Sequence, residues 1–176
     1  PNVWTYTPVL EALIDIGDLE DCPSNTIPGF YERLSSWLPG LVEHRCSYDE
    51  RGGFLRRVEE GTWPGHIMEH VSLELQALAG MPGGFGRARE VPIRGVYKVV
   101  VTAWHEMVTR YALEAARDLV MAGIEDKPFD VAAAVDGDMR LMARSCTAVS
   151  NQGGYASHGH SIVANAVTGF RQLYLD

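Results

Sequence analysis

Residues 62–80 read TWPGHIMEHVSLELQALAG, from Thr62 to Gly80. The stretch predicts a helix running to Leu78. Thr62 offers a capping hydroxyl, and Pro64 stands in the first turn, where its missing N–H leaves nothing unsatisfied. Gly80 and Pro82 then stop the helix. Downstream, GVYKVVVTA at 95–103 is the best strand in the chain, because Tyr97, Val99, Val100 and Val101 suit a pleated, half-buried surface. Upstream, PVLEALIDI at 8–16 is apolar enough for a second strand. Helices and strands mingle without a regular βαβ alternation. The expected fold is therefore α+β, a single domain with one mixed or antiparallel sheet and helices packed mainly on one face.

The remaining segments fill in around this frame. FYERLSSWL sets Phe30, Leu34 and Trp37 at helical spacing, and Pro39-Gly40 ends that helix. LVEHRC at 41–46 reads as a short strand, and Gly52-Gly53 opens a short helix through about Glu60. PGGFGRARE at 82–90 reads as a flexible turn rather than a phosphate cradle, since it lacks the GxxxxGK[ST] pattern. A helix of about 105–122 follows the strong strand, with Val108, Tyr111, Ala112, Ala115 and Leu119 as its apolar face and Gly123 as its end. A further helix is expected over about 128–146. The division is thus one domain over 1–146 and a glycine-rich polar tail over 147–176 with a short apolar segment at Ile162–Val167.

Composition narrows the function classes. The 176 residues are 46% apolar and 22% charged, as in soluble globular proteins. No apolar run approaches the roughly 20 residues that a membrane helix needs, and no secretory signal opens the chain. The net charge is −8, with 11 acidic against 5 basic residues in 1–60 and 8 against 4 in 101–140. Such a surface repels phosphate backbones, which argues against nucleic acid and for a cationic, arginine-rich partner. Cys22, Cys46 and Cys146 are odd in number and form no CxxC, which points to a reducing cytoplasm. Nothing in the sequence around any of the three suggests an activated thiol.

The helix at 62–80 also carries the chemistry. His66 and His70 stand four apart, on one helical face, so both imidazoles can hold one metal ion, zinc being the natural choice. Glu69 precedes the second histidine and lies where a carboxylate could take a proton from water and pass it to a leaving amine. The order is HxxEH, the reverse of HExxH. A catalytic zinc needs a third protein ligand. Glu114, a lone carboxylate at the flank of an apolar helix face, is the first choice, with Glu106 behind it. Glu74, two turns past His66, is better placed to support a ligand than to be one. The bland alternative is a helix with two ordinary histidines. His44 reads as a strand residue, His105 as a partner of a helix start, and His158 and His160 as exposed residues of the tail. Trp4, Trp37, Trp63 and Trp104 read as packing residues.

Several stretches together carry a resemblance: VLEALIDIGDLEDCPSNTIPGF, LPGLVEHRCS, GGFLRRVEEGTWPGHIMEHVSLELQALAG, GFGRARE, GVYKVVV and ALEAARDLVMAGIEDKPFDV. Over roughly residues 1–132 the chain resembles the N-terminal domain of cyanophycin synthetases. Such enzymes make cyanophycin, a poly-aspartate with an arginine on each side chain, by ATP-dependent ligation. The resemblance implies a cytoplasmic homo-oligomer in which ATP-grasp and Mur-ligase-like domains perform the ligation. Neither fits in this chain, which shows no ATP site. The family's N-terminal domain is associated with holding the polymer, and in some members with a metallopeptidase-like site that cuts it into primers; His66, Glu69 and His70 match that motif. Two function classes follow. One is a zinc-dependent, peptidase-like domain acting on cyanophycin. The other is a non-catalytic docking or oligomerisation module of a larger ligase.

Overall fold

The computed structural model describes residues 7–136, 139–140 and 142–144, together with the backbone of Asn165–Ala166 and Gln172–Leu175. Three strands form one side of the sheet: β1 (Val9–Asp15), β2 (Gly86–Glu90) and β3 (Val96–Thr102). β1 runs antiparallel to β3 from Val9 opposite Thr102 to Asp15 opposite Val96, and β2 flanks β3 on its other side, also antiparallel. β5 (Gln172–Leu175) extends the sheet beyond β1, and β4 (Asn165–Ala166) pairs with β5, giving the order β2-β3-β1-β5-β4. The sheet is therefore wholly antiparallel.

Alternation decides which face is covered. Leu10, Ala12 and Ile14 of β1 and Tyr97, Val99 and Val101 of β3 are buried, while their neighbours in sequence are half-exposed except for the buried Thr102. The helices pack on the buried face. They are α1 (Phe30–Trp37), α2 (Gly53–Glu60), α3 (Pro64–Leu78), α4 (Glu106–Ile124) and α5 (Val131–Asp136). α3 lies against β2 and β3 and beside α4. It buries Ile67, Met68, Val71 and Leu75 completely, each of which contributes about 1.5–3 kcal/mol relative to exposure. Among the described residues no helix is long and apolar enough to cross a membrane.

Four details differ from the sequence reading. LVEHRC is no strand: residues Pro39–Glu43 and Cys46–Tyr48 form two short 3-10 turns. Pro39-Gly40 starts the first of them after α1, and only His44 between the two turns has an extended backbone, too little for a strand. The cap of α3 is Trp63, with no side-chain capping bond, because the Thr62 hydroxyl lies instead 2.8 Å from His66 Nδ1. The glycine-rich stretch ends in β2, an edge strand paired to β3, rather than remaining a turn throughout. α4 runs through Gly123 to Ile124, its glycine packed against Phe30 and Trp37. His105 caps that helix, its Nδ1 accepting from the Val108 N–H. Trp4, His158 and His160 lie outside the described residues.

Candidate metal centre

The centre forms where the histidine face of α3 meets the turn at 44–47. Cys46 adopts a left-handed backbone with φ of +53°, a conformation that costs a non-glycine residue on the order of 1–3 kcal/mol and tends to persist at sites that use it. The start of α2 holds this turn in place. The Phe54 N–H donates to the His44 carbonyl at 3.0 Å, and the Gly52 N–H donates to the Val42 carbonyl. Gly53 permits the approach, since a Cβ there would stand 2.0 Å from the Arg45 carbonyl oxygen. Gly53→Ala is therefore expected to cost about 1–3 kcal/mol in stability, the usual range for overpacking. Urea unfolding of the two proteins checks it, and an unchanged midpoint would contradict it.

The turn brings a thiol to the histidines. Cys46 Sγ lies 3.3 Å from His66 Nε2. Cys46, His66 and His70 each offer one ligand atom, and the three atoms lie within 4.8 Å of one another. Tetrahedral zinc with one sulfur and two nitrogen ligands spaces them by roughly 3.3–3.6 Å, so this donor set fits with a small contraction. The rings are also held by their far sides. His66 Nδ1 meets the Thr62 hydroxyl at 2.8 Å and His70 Nδ1 meets His44 Nδ1 at 2.9 Å, which leaves Nε2 of each toward the cavity. Phe54 stacks on His70 with ring centres 4.0 Å apart. Three protein donors are the number a catalytic zinc takes, whereas structural sites take four.

Glu69 stands beside this cluster, 3.9 Å from His70 Nε2 and buried. It approaches the edge strand so closely that a Cβ on Gly86 would lie 2.6 Å from its Oε1. Burial pushes the Glu69 carboxyl up to about 7, against the opposing effect of the hydrogen bond it accepts from the Ala88 N–H. Burial also lowers His66 to about 4, helped by the charge of Arg57, and holds His70 far below the usual histidine range. Both histidines are thus neutral near pH 7, as metal binding requires, and the contact of His70 with Glu69 is not an ion pair.

These shifts give the metal-free protein a signature. Between pH 4.5 and about 7 the folded protein keeps the Glu69 proton and the unfolded chain has lost it, so this group's contribution to stability falls as pH rises. Above pH 7 the full cost is about 3 kcal/mol. His66, shifted downward, acts in the opposite sense and costs stability as pH falls from 6.5 toward 4. Glu69→Gln removes the first effect alone. In chelator-treated protein the variant should match wild type below pH 4.5 and exceed it by about 3 kcal/mol above pH 7. A gap that does not change with pH in thermal melts would contradict this.

A cavity of about 530 Å³ opens over the cluster. His66, Glu69 and His70 line it together with Cys46 and the strand edge Gly86–Ala88, and Glu43, Arg45 and Arg87 place both signs of charge on its wall. Glu114 is not among its lining residues and does not belong to the ligand cluster. α3 and α4 do pack together, but α4 meets α3 at Gln76 through Thr109, about a third of a turn from His70 at 100° per residue. Glu106 pairs with Arg110 on the outer part of α4. Glu74 lies behind the site, bonded to His44 at 3.1 Å. The sequence reading missed Cys46 and His44. Their spacing of two residues was the available signal, and reading the segment as a strand concealed it.

Residues 11–125, which contain every residue of this site, match the model of the cyanophycin synthase-like N-terminal domain. The chain belongs to this family. Cyanophycin synthetase of Geminocystis herdmanii is 54% identical over 114 residues, which are 64% of this chain and 13% of that protein. Cyanophycin synthetase of Synechocystis sp. is 52% identical over 129 residues, 70% of this chain and 15% of that protein. The Crocosphaera subtropica enzyme is 53% identical over 118 residues, 66% of this chain and 14% of its own length. The chain therefore spans about one seventh of the curated relatives it matches. It is a cyanophycin synthetase N-terminal-like domain, related to a small part of much larger proteins.

Proposed function

We propose that this domain binds cyanophycin and cuts its main chain into short pieces, using zinc held by Cys46, His66 and His70. The observation that carries this reading is the convergence of those three donors beside a buried glutamate at the floor of a cavity. A bound zinc ion would supply Lewis-acid polarisation of a carbonyl and of a water. Glu69, with a pKa near neutrality, can accept a proton from that water and return it to the leaving amine. The Ala88 N–H orients Glu69, and Phe54 shields His70 from solvent. An arginine amide-linked to each aspartate presents one guanidinium and one carboxylate per unit. The cavity wall offers Glu43 to the first and Arg45 and Arg87 to the second, and bidentate pairing suits both.

The second reading is a docking or oligomerisation module that serves larger ATP-dependent ligase domains without chemistry of its own. It is favoured by the one-seventh coverage of the relatives, and by a Cys46–His66 contact that a thiol–imidazole hydrogen bond satisfies by itself. The first reading and the docking form of the second both predict polymer binding that weakens with salt, because exposed charge pairs are screened. Titrating cyanophycin fragments at low and high salt tests that shared part, and salt-independent binding would contradict it. Zinc content of the purified domain, measured beside release of short fragments from cyanophycin, separates the two. Zinc with fragments supports the first reading, and polymer binding without either supports the second.

A further inference from the structure

Two side chains stand in line with His70: His44, which shares the cavity wall with it, and Glu74 behind His44. His70 Nδ1 is 2.9 Å from His44 Nδ1, and His44 Nε2 is 3.1 Å from Glu74 Oε2. All three are largely buried, with side-chain exposures of 9% for His70, 17% for His44 and 12% for Glu74. The line is also braced. The His44 carbonyl is fixed by the Phe54 N–H, and Phe54 packs against both rings. Gly40 closes behind Glu74 so tightly that a Cβ there would lie 1.9 Å from Glu74 Oε1.

The polarity of this line follows from donor and acceptor inventory. A neutral imidazole carries one N–H and one lone pair, and a carboxylate only accepts. With His44 neutral, the contact with Glu74 places its one proton on Nε2. His44 Nδ1 is then a lone pair, so the proton in its bond to His70 belongs to His70 Nδ1. His70 is left with its lone pair on Nε2, the nitrogen 3.9 Å from Glu69 Oε1 on the cavity side. The reverse polarity would set the lone pair of His44 Nε2 against a carboxylate oxygen in a poorly solvated place, with nothing to offset the repulsion.

We propose that His44, oriented by Glu74, is a positioning residue that fixes His70 in its Nδ1–H tautomer and so presents the Nε2 lone pair to the cavity. The tautomer is a property of the metal-free protein. Its consequence, a preorganised zinc ligand, rests on the metal reading given above. Such supporting partners typically change metal affinity by about 10–100-fold when removed.

The test is a long-range proton–nitrogen correlation spectrum of the histidine-labelled, metal-free domain near pH 7, which distinguishes Nδ1–H from Nε2–H rings. Wild type should show His70 as the Nδ1–H tautomer. His44→Leu, which removes the acceptor, should move it toward Nε2–H, while circular dichroism confirms the fold. His44→Asn, whose Oδ1 can replace the ring acceptor, should restore Nδ1–H. A His70 that carries its proton on Nε2 in wild type, or a spectrum unchanged in His44→Leu, overturns the proposal. Zinc affinity by chelator competition is the second readout. It should fall about 10–100-fold in His44→Leu and largely recover in His44→Asn. Equal affinity in wild type and His44→Leu would overturn the preorganisation. If wild type takes up no zinc, the metal reading fails, and the spectra still decide the role of His44.

Discussion

Glu69→Gln is expected to lower the rate of cyanophycin cleavage by about 10²–10⁴-fold, the usual contribution of a positioned general base, while zinc and polymer binding stay at wild-type levels. The amide keeps the shape of the side chain and can still accept from the Ala88 N–H, but it cannot take a proton from water. Glu69 is not among the three clustered donors, so the metal should remain. The charged wall residues Glu43, Arg45 and Arg87 are untouched, so the polymer should remain bound. Fragment release by the variant, measured with zinc content and polymer affinity on the same sample, checks all three. Cleavage at the wild-type rate would remove Glu69 from the chemistry.

Cys46→Ala should have the largest effect on the metal. The roughly 10–16 kcal/mol of a four-ligand structural zinc site averages to about 3 kcal/mol per ligand. Losing one of three protein donors should therefore weaken zinc by more than about a hundredfold. Polymer docking through the cavity wall should persist. Cys46 is half-buried and packs only against the margin of the core, so the fold should survive the change. Chelator competition gives the affinity, and equal binding by wild type and Cys46→Ala would show that the thiol is not a ligand. Cys22→Ala serves as the control, since Cys22 is a free cysteine outside the ligand cluster.

Much of the framework was legible because it rests on local, periodic chemistry. β1 and β3 announce themselves by runs of apolar and β-branched residues, and α3 by its first-turn proline and terminal glycine. The pairing of His66 with His70 follows from helical spacing alone, and so does the nearness of Glu69. The proposed third donor was not legible in the same way. Glu114 was inferred from a carboxylate on an apolar helix, but which side of α3 receives α4 is decided by tertiary packing, and α4 meets the Gln76 side. Cys46 reaches the site through a left-handed turn pinned by backbone bonds to α2. Such a conformation leaves no periodic trace in the sequence. His44 was hidden for the same reason, since reading 41–46 as a strand gave it no defined neighbour.

The most direct test of the account is zinc uptake by the metal-free domain, followed by X-ray absorption at the zinc edge. The account predicts one equivalent of zinc with a single sulfur neighbour at about 2.3 Å and two imidazole nitrogens at about 2.0–2.1 Å. The sulfur should disappear in Cys46→Ala. No zinc uptake, or a shell of nitrogen and oxygen without sulfur as Glu114 or another carboxylate would give, would contradict it.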